Sequence, residues 1–295
     1  MSSLRTLFRR RSLGHNKQLV PTTMGIKIRF FSSAFRGFVL ALSVVVPFEV
    51  TSAQSRVEPA YNLGIIGDSI SVGFNASAFG VNRELSWTGG LDPQGRVLSH
   101  ALRLQALLQR PVIVHNEAFA GAETKNLVKQ TDRLLSSKID YVSIMIGAND
   151  LCKNAGAVEW QSVRRIQDVQ DSITRIIEAN PEVKIVLAAI PDMLRLRETG
   201  LGRGCQATWN IAKICSPLLG RDRTDAERSL FGERLNQMNH SLSEMAMNFS
   251  EHVRFDWATS EFEFPWEYIS RIDCFHPSVP GQNKISEITF DPNWK

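Results

Sequence analysis

The sequence predicts an α/β fold with one doubly wound, mainly parallel sheet of five strands, and two observations carry that prediction. Short runs rich in β-branched residues alternate with longer segments whose apolar residues recur at helical spacing, and the runs end in turns bearing Gly, Asn or Asp. Alternation of this kind calls for parallel strands joined by helices on both faces of the sheet. Strands are expected at residues 62–66, 112–115, 141–146, 183–189 and 252–255. Helices are expected at 97–108, at 225–249 and at 163–178, where Val163, Ile166, Val169, Ile173, Ile176 and Ile177 mark one face. Residues 193–224 carry Gly200, Gly202, Gly204, Cys205, Cys215 and Pro217 and read as an irregular insertion, either a lid that shapes a site or surface decoration.

The 295 residues carry a net charge of +4, unevenly spread. Eight basic residues against Glu49 leave +7 through Ala53 and −3 on everything after it. A nucleic-acid-binding basic face is therefore no property of the body of the protein. Residues 1–53 read as a targeting segment: Lys27, Arg29 and Arg36 precede an apolar run at 37–48, and Thr51-Ser52-Ala53 supplies the small residues a signal peptidase reads. Cleavage near Ala53, export, and a mature domain at 54–295 are the expectation, with Met24 an alternative start. The run is too short for a comfortable membrane span. An Arg- and Ser-rich organelle transit peptide and a twin-arginine signal at Arg10-Arg11 are the rivals.

Chemistry concentrates at the ends of the expected strands. The first runs into Gly67-Asp68-Ser69, the second into a loop holding Gly121, and the third into Gly147-Ala148-Asn149-Asp150. A parallel sheet gathers such strand ends along one edge, where open α/β sheets bind ligands. Asp273-Cys274-Phe275-His276-Pro277 lies near the C-terminus. A serine hydroxyl becomes a nucleophile when a neutral imidazole takes its proton, and the imidazole needs a partner on its other nitrogen. Ser69, His276 and Asp273 supply those parts, Asp273 and His276 being close enough to meet within one turn. Donors to a developing oxyanion are available in the Ser69 N–H, the Gly121 N–H and the Asn149 amide. Asp68 and Asp150 are expected to order the loops bearing Ser69 and Asn149.

Gly67-Asp68-Ser69, Gly121, Gly147-x-Asn149-Asp150 and Asp273-x-x-His276 together resemble the four sequence blocks of the GDSL, or SGNH, hydrolase superfamily of lipases and esterases. The resemblance spans about residues 62–290 and is closest to secreted esterases and phospholipase-B-like members. It implies a flavodoxin-like α/β/α sandwich, no metal or other cofactor, Ser69 as nucleophile and His276 as base. Ile70 replaces the Leu of the name motif. Cys274 stands where a larger residue is expected. The four cysteines, Cys152, Cys205, Cys215 and Cys274, all follow Ala53 and suit an oxidising compartment. Spacing leaves three pairings open; the resemblance favours Cys152 with Cys215 and Cys205 with Cys274.

Other residues have plainer readings. His115 is expected to be structural, and His100, His240 and His252 to be surface or capping residues. Trp87, with Thr88 and Gly89, and Trp209 are expected to contact an acyl or alcohol group. Asn75-Ala76-Ser77 is formally a glycosylation sequon, but six residues past Ser69 it reads as incidental. The function expected is that of an exported serine hydrolase acting on a small-molecule or lipid ester. A carbohydrate O-acetyl esterase or thioesterase is the alternative on the same machinery, and a noncatalytic binding module the alternative from another class.

Overall fold

Five strands form, four of them on apolar runs and the last on alternating apolar and charged residues: β1 (Tyr61–Gly67), β2 (Val112–Asn116), β3 (Tyr141–Met145), β4 (Lys184–Ala188) and β5 (Val253–Asp256). They pair in parallel in the order β2-β1-β3-β4-β5. The computed structural model describes residues 58–154 and 162–295; the expected targeting segment at 1–53, its cleavage point near Ala53, and Trp160 lie outside the described residues. The helices are α1 (His100–Leu108), α2 (Leu127–Leu134), α3 (Ala148–Asn154), α4 (Ser162–Ala179), α5 (Met193–Leu201), α6 (Gln206–Ala212), α7 (Ser216–Leu219), α8 (Asp225–Met247), α9 (Ala258–Glu261) and α10 (Val279–Thr289).

Alternation along the strands sorts the helices into two layers. Leu63 and Ile65 of β1 join Ala101 and Leu104 of α1 in one apolar cluster, while Ile66 joins Leu127 of α2, Val169 of α4 and Leu242 of α8 in another. β3 is buried along its whole length, the mark of a strand covered on both faces. Among the described residues, no helix is long and apolar enough to cross a membrane.

The strand order places the reversal of winding between β1 and β3, which opens a crevice beyond their carboxyl ends. Gly67 of β1 lies opposite Met145 of β3, so Ser69 and Asn149 leave the sheet side by side. Gly67 has φ +147°, and a Cβ there would collide with the Met145 carbonyl.

Residues 193–224 are not irregular as expected but mostly helical, forming α5, α6 and α7. Gly202 and Gly204 lie in the turn between α5 and α6, whereas Gly200 and Pro217 are accommodated in helices. Gly200 lies within α5 because the Trp209 ring rests on it, and Pro217 occupies the first turn of α7, where a missing N–H costs nothing. Disulfides Cys152–Cys215 and Cys205–Cys274 tie this segment to α3 and to the loop before α10. Each such crosslink stabilises a fold by about 2–4 kcal/mol.

His100 is a second departure: it is fully buried, not a surface or capping residue. Its Nε2 lies 3.0 Å from Thr289 Oγ1 and its Nδ1 3.0 Å from the Tyr141 hydroxyl. Thr289 already donates its hydroxyl proton to Ile285 O, so His100 Nε2–H donates to Thr289 and Nδ1 accepts from Tyr141. Burial, with the charges of Arg103 and Arg254, pushes its pKa down from 6.5 to about 3. The unfolded chain binds this proton first on acidification, so stability present above pH 6.5 is lost as pH falls towards 3. The stability of the native protein relative to His100→Gln should therefore fall over that window with a limiting slope of about 1.4 kcal/mol per pH unit, measured by urea unfolding. A difference independent of pH would refute the buried neutral assignment. Taking the difference also removes the opposing effect of Asp68, whose raised pKa favours the folded state as pH drops.

Candidate active site

Ser69 follows β1 and leads into a single 3₁₀ turn, Ile70–Val72. Asp68 Oδ1 accepts the Ile70 N–H at 3.0 Å and holds that turn. Burial raises the Asp68 pKa from 3.8 to about 6, against the Ile70 N–H and the nearby His276.

Across the crevice, residues 270–277 form a closed loop. Ser270 N–H donates to His276 O, Cys274 N–H to Ser270 O, and Ile269 bridges Pro277. Cys274 takes φ +57° and is clamped twice, by its disulfide to Cys205 and by Trp209 Nε1–H donating to its carbonyl at 3.1 Å. That clamp holds its neighbours Asp273 and His276 in place.

His276 Nε2 lies 2.8 Å from Ser69 Oγ, and its Nδ1 lies 2.6 Å from Asp273 Oδ2. Ser69 and Asp273 are 7% and 6% exposed, so the chain of groups is shielded along most of its length. The imidazole contacts the rings of Phe74 and Phe275, each centroid 5.0 Å away. Burial works to raise the Asp273 pKa, but hydrogen bonding and charge from His276, with the Asn75 amide, hold the carboxyl below its ordinary value.

Asn149 sits in the first turn of α3 and donates one amide hydrogen to Ala122 O at 3.0 Å. The following residue, Asp150, accepts both the backbone N–H and the hydroxyl of Thr124 and pairs with Arg165. These bonds fasten the start of α3 to the loop holding Gly121. Gly121 has φ +82°, so its glycine is required by conformation; a Cβ there would meet open space. Among the described residues, neither the Ser69 N–H nor the Gly121 N–H donates to a protein acceptor. Ser69, Gly121, Asn149 and His276 share one open groove with Phe74 and Ile214.

A second cleft that also reaches Ser69 and His276 is walled by Ile190, Met193, Leu196, Phe264, Tyr268 and Phe275. Among the described residues, no cluster of three or more His, Cys, Asp or Glu side chains is arranged to hold a metal.

Four expectations are corrected or completed here. Trp87 lines neither cleft: it is fully buried, edge-on to His100, with its backbone N–H held by Gln282 Oε1. Thr88 and Gly89 are buried beside it, against Ser143 and against Ile65 and Val114. Trp209 is buried beneath the Cys274 carbonyl instead of facing a ligand. His115 is held by Asn62 Oδ1 at 3.1 Å and stands apart from the crevice. Asn75, dismissed on sequence, donates to Asp273 Oδ2 at 2.6 Å.

No curated protein matches the chain. Among solved structures, the lipase Lip_vut3 from a goat rumen metagenome is similar over 80% of this chain and 98% of its own, with 17% identity and a TM-score of 0.53. A protein from Parabacteroides merdae described as a GDSL-like lipase is similar over 81% of this chain and 99% of its own, with 19% identity and a TM-score of 0.52. At these identities the likeness concerns the fold. A model of the GDSL-like lipase/acylhydrolase family matches residues 65–284, most of the chain, and on that match the protein belongs to this family of hydrolases acting on esters.

Proposed function

We propose that the protein is a serine hydrolase that cleaves carboxylic esters through an acyl-enzyme. Ser69 Oγ attacks the ester carbonyl while His276 Nε2 takes its proton, and Asp273 stabilises the resulting imidazolium. The Ser69 N–H, the Gly121 N–H and the free amide hydrogen of Asn149 receive the oxyanion. His276 then protonates the departing alcohol, activates a water, and returns a proton to Ser69 as the acid product leaves. The observation that carries this reading is the continuous Ser69–His276–Asp273 hydrogen-bonded chain of 2.8 and 2.6 Å. A binding module has no need of it.

The walls of the second cleft favour an apolar acyl chain over the acetyl group of a decorated sugar, because burying each methylene gains about 0.8 kcal/mol. A thioester of such an acyl group would fit the same walls. Two disulfides among four cysteines support an exported protein with a cleaved leader at 1–53. The test is a fluorophosphonate probe followed by peptide mapping, with hydrolysis of short- and medium-chain p-nitrophenyl esters and acetylated sugars alongside. Adduct on Ser69 and faster turnover of the longer acyl chains are expected. Folded protein left unlabelled would overturn the enzyme reading, and preference for acetylated sugars would overturn the acyl assignment.

A further inference from the structure

Asp273 accepts four hydrogen bonds, which satisfies a carboxylate completely. Phe275 N–H and His276 N–H donate to Oδ1 at 2.9 and 3.0 Å, and His276 Nδ1 and Asn75 Nδ2 meet Oδ2 at 2.6 Å each. Three of the four come from the closed loop that holds Asp273. The fourth, Asn75, arrives from the segment that carries Ser69.

Asn75 is built for this contact. It is 3% exposed and takes φ +54°, a left-handed conformation that Asn tolerates better than most residues. Its Oδ1 accepts the Gly80 N–H at 2.7 Å, which fixes the orientation of the amide so that Nδ2 faces the carboxylate. Its backbone carbonyl accepts the Ser270 hydroxyl at 2.6 Å, a second link to the same loop. With both ends of the amide engaged in a buried site, Asn75 is no glycan acceptor.

We propose that Asn75 is a positioning residue of the hydrolytic site: it locks the Asp273 carboxylate in register with His276 and thereby couples the nucleophile's segment to the acid–base loop. This inference rests on the serine-hydrolase reading above. Asn75 acts through Asp273 and touches no reacting atom. Its donor also withdraws charge from the oxygen that faces His276. Loss of that donor leaves Oδ2 a stronger partner for the imidazolium, so the acid limb of the pH–rate profile should move to higher pH. Asp68 is a second carboxylate whose charge reaches His276, and Asp192 lines the same cleft; both are unchanged in the variants below.

Two variants separate the donor from the backbone. Asn75→Gly keeps the left-handed conformation at no steric cost and deletes the amide. Asn75→Asp keeps the shape and replaces the donor with an acceptor that repels Asp273. Asn75→Gly should lower kcat roughly tenfold to a hundredfold, the scale of a hydrogen bond to a charged group, with KM changed less than about threefold. The acid limb should shift upward in both variants, further in Asn75→Asp. Either variant folding with native kcat and an unmoved acid limb overturns the proposal. So does a drop in Tm with proportional loss of activity and an unmoved limb, the signature of a merely structural contact. Fluorophosphonate labelling of the native protein is read in parallel: if native Ser69 fails to label, the hydrolase reading itself has failed, whereas native labelling with unaffected variants removes only the role of Asn75.

Discussion

Ser69→Ala is expected to lower kcat by up to about a millionfold while leaving the fold intact. The hydroxyl is the group that His276 Nε2 addresses, at 2.8 Å, and its removal leaves the imidazole and Asp273 with nothing to activate except water. The residual rate should then come from oxyanion stabilisation and substrate binding alone, about 10³–10⁴ above the uncatalysed reaction. Groups that act as a unit lose activity together, so adding His276→Ala to Ser69→Ala should cost almost nothing more. The measurement is kcat/KM for a p-nitrophenyl ester with both single variants and the double variant, beside a thermal melt of each. Two single losses that multiply in the double variant would mean that Ser69 and His276 act separately. A Ser69→Ala enzyme retaining a few per cent of native turnover would place the nucleophile elsewhere.

The acid side of the pH profile depends on the same chain of groups. Asp273 is held below the ordinary carboxylate range by His276 and Asn75 against the effect of burial, which keeps a carboxylate charge facing the imidazole. Acidification should therefore switch the site off through the imidazole, since His276 in its charged form cannot accept the serine proton.

Much of this arrangement is legible in the sequence because its signals are local. The central strands β1, β3 and β4 are mostly buried on a parallel sheet and read as largely apolar runs, and the turns after β1, β2 and β3 carry Ser69, Gly121 and Asn149. Asp273 and His276 are three residues apart, and one closed loop brings them together. Where the sequence misleads, long-range packing decides. His100 looks like a surface residue until Thr289, from the far end of the chain, closes over it. Trp87 is capped by Gln282 in the same way. The glycines at 200–204 signal a loop, and Gly202 and Gly204 do lie in the turn between α5 and α6, but Gly200 is helical with the Trp209 ring packed on it. Asn75 carries no sequence signal of its role, because a left-handed backbone angle and a bond spanning 198 residues create it.

Asn149→Ala should cost a hundredfold to a thousandfold in kcat, the usual consequence of removing one oxyanion donor. One of the two amide hydrogens of Asn149 is already committed to Ala122 O at 3.0 Å, so the side chain cannot swing and its second hydrogen is aimed in advance. In the proposed mechanism that fixed aim would make the donor effective, because no reorganisation is needed as charge develops. The same bond raises a competing explanation, in which Ala acts by loosening the loop that carries Gly121. Asp150 answers it, since its two bonds to Thr124 hold that loop independently of Asn149. Asn149→Asp sharpens the contrast, for it loses both donors and brings a carboxylate towards the developing negative charge. Its kcat should fall below that of Asn149→Ala, with KM and Tm near native values in both. If the two variants lose activity equally and in step with Tm, the amide serves the loop and not the oxyanion.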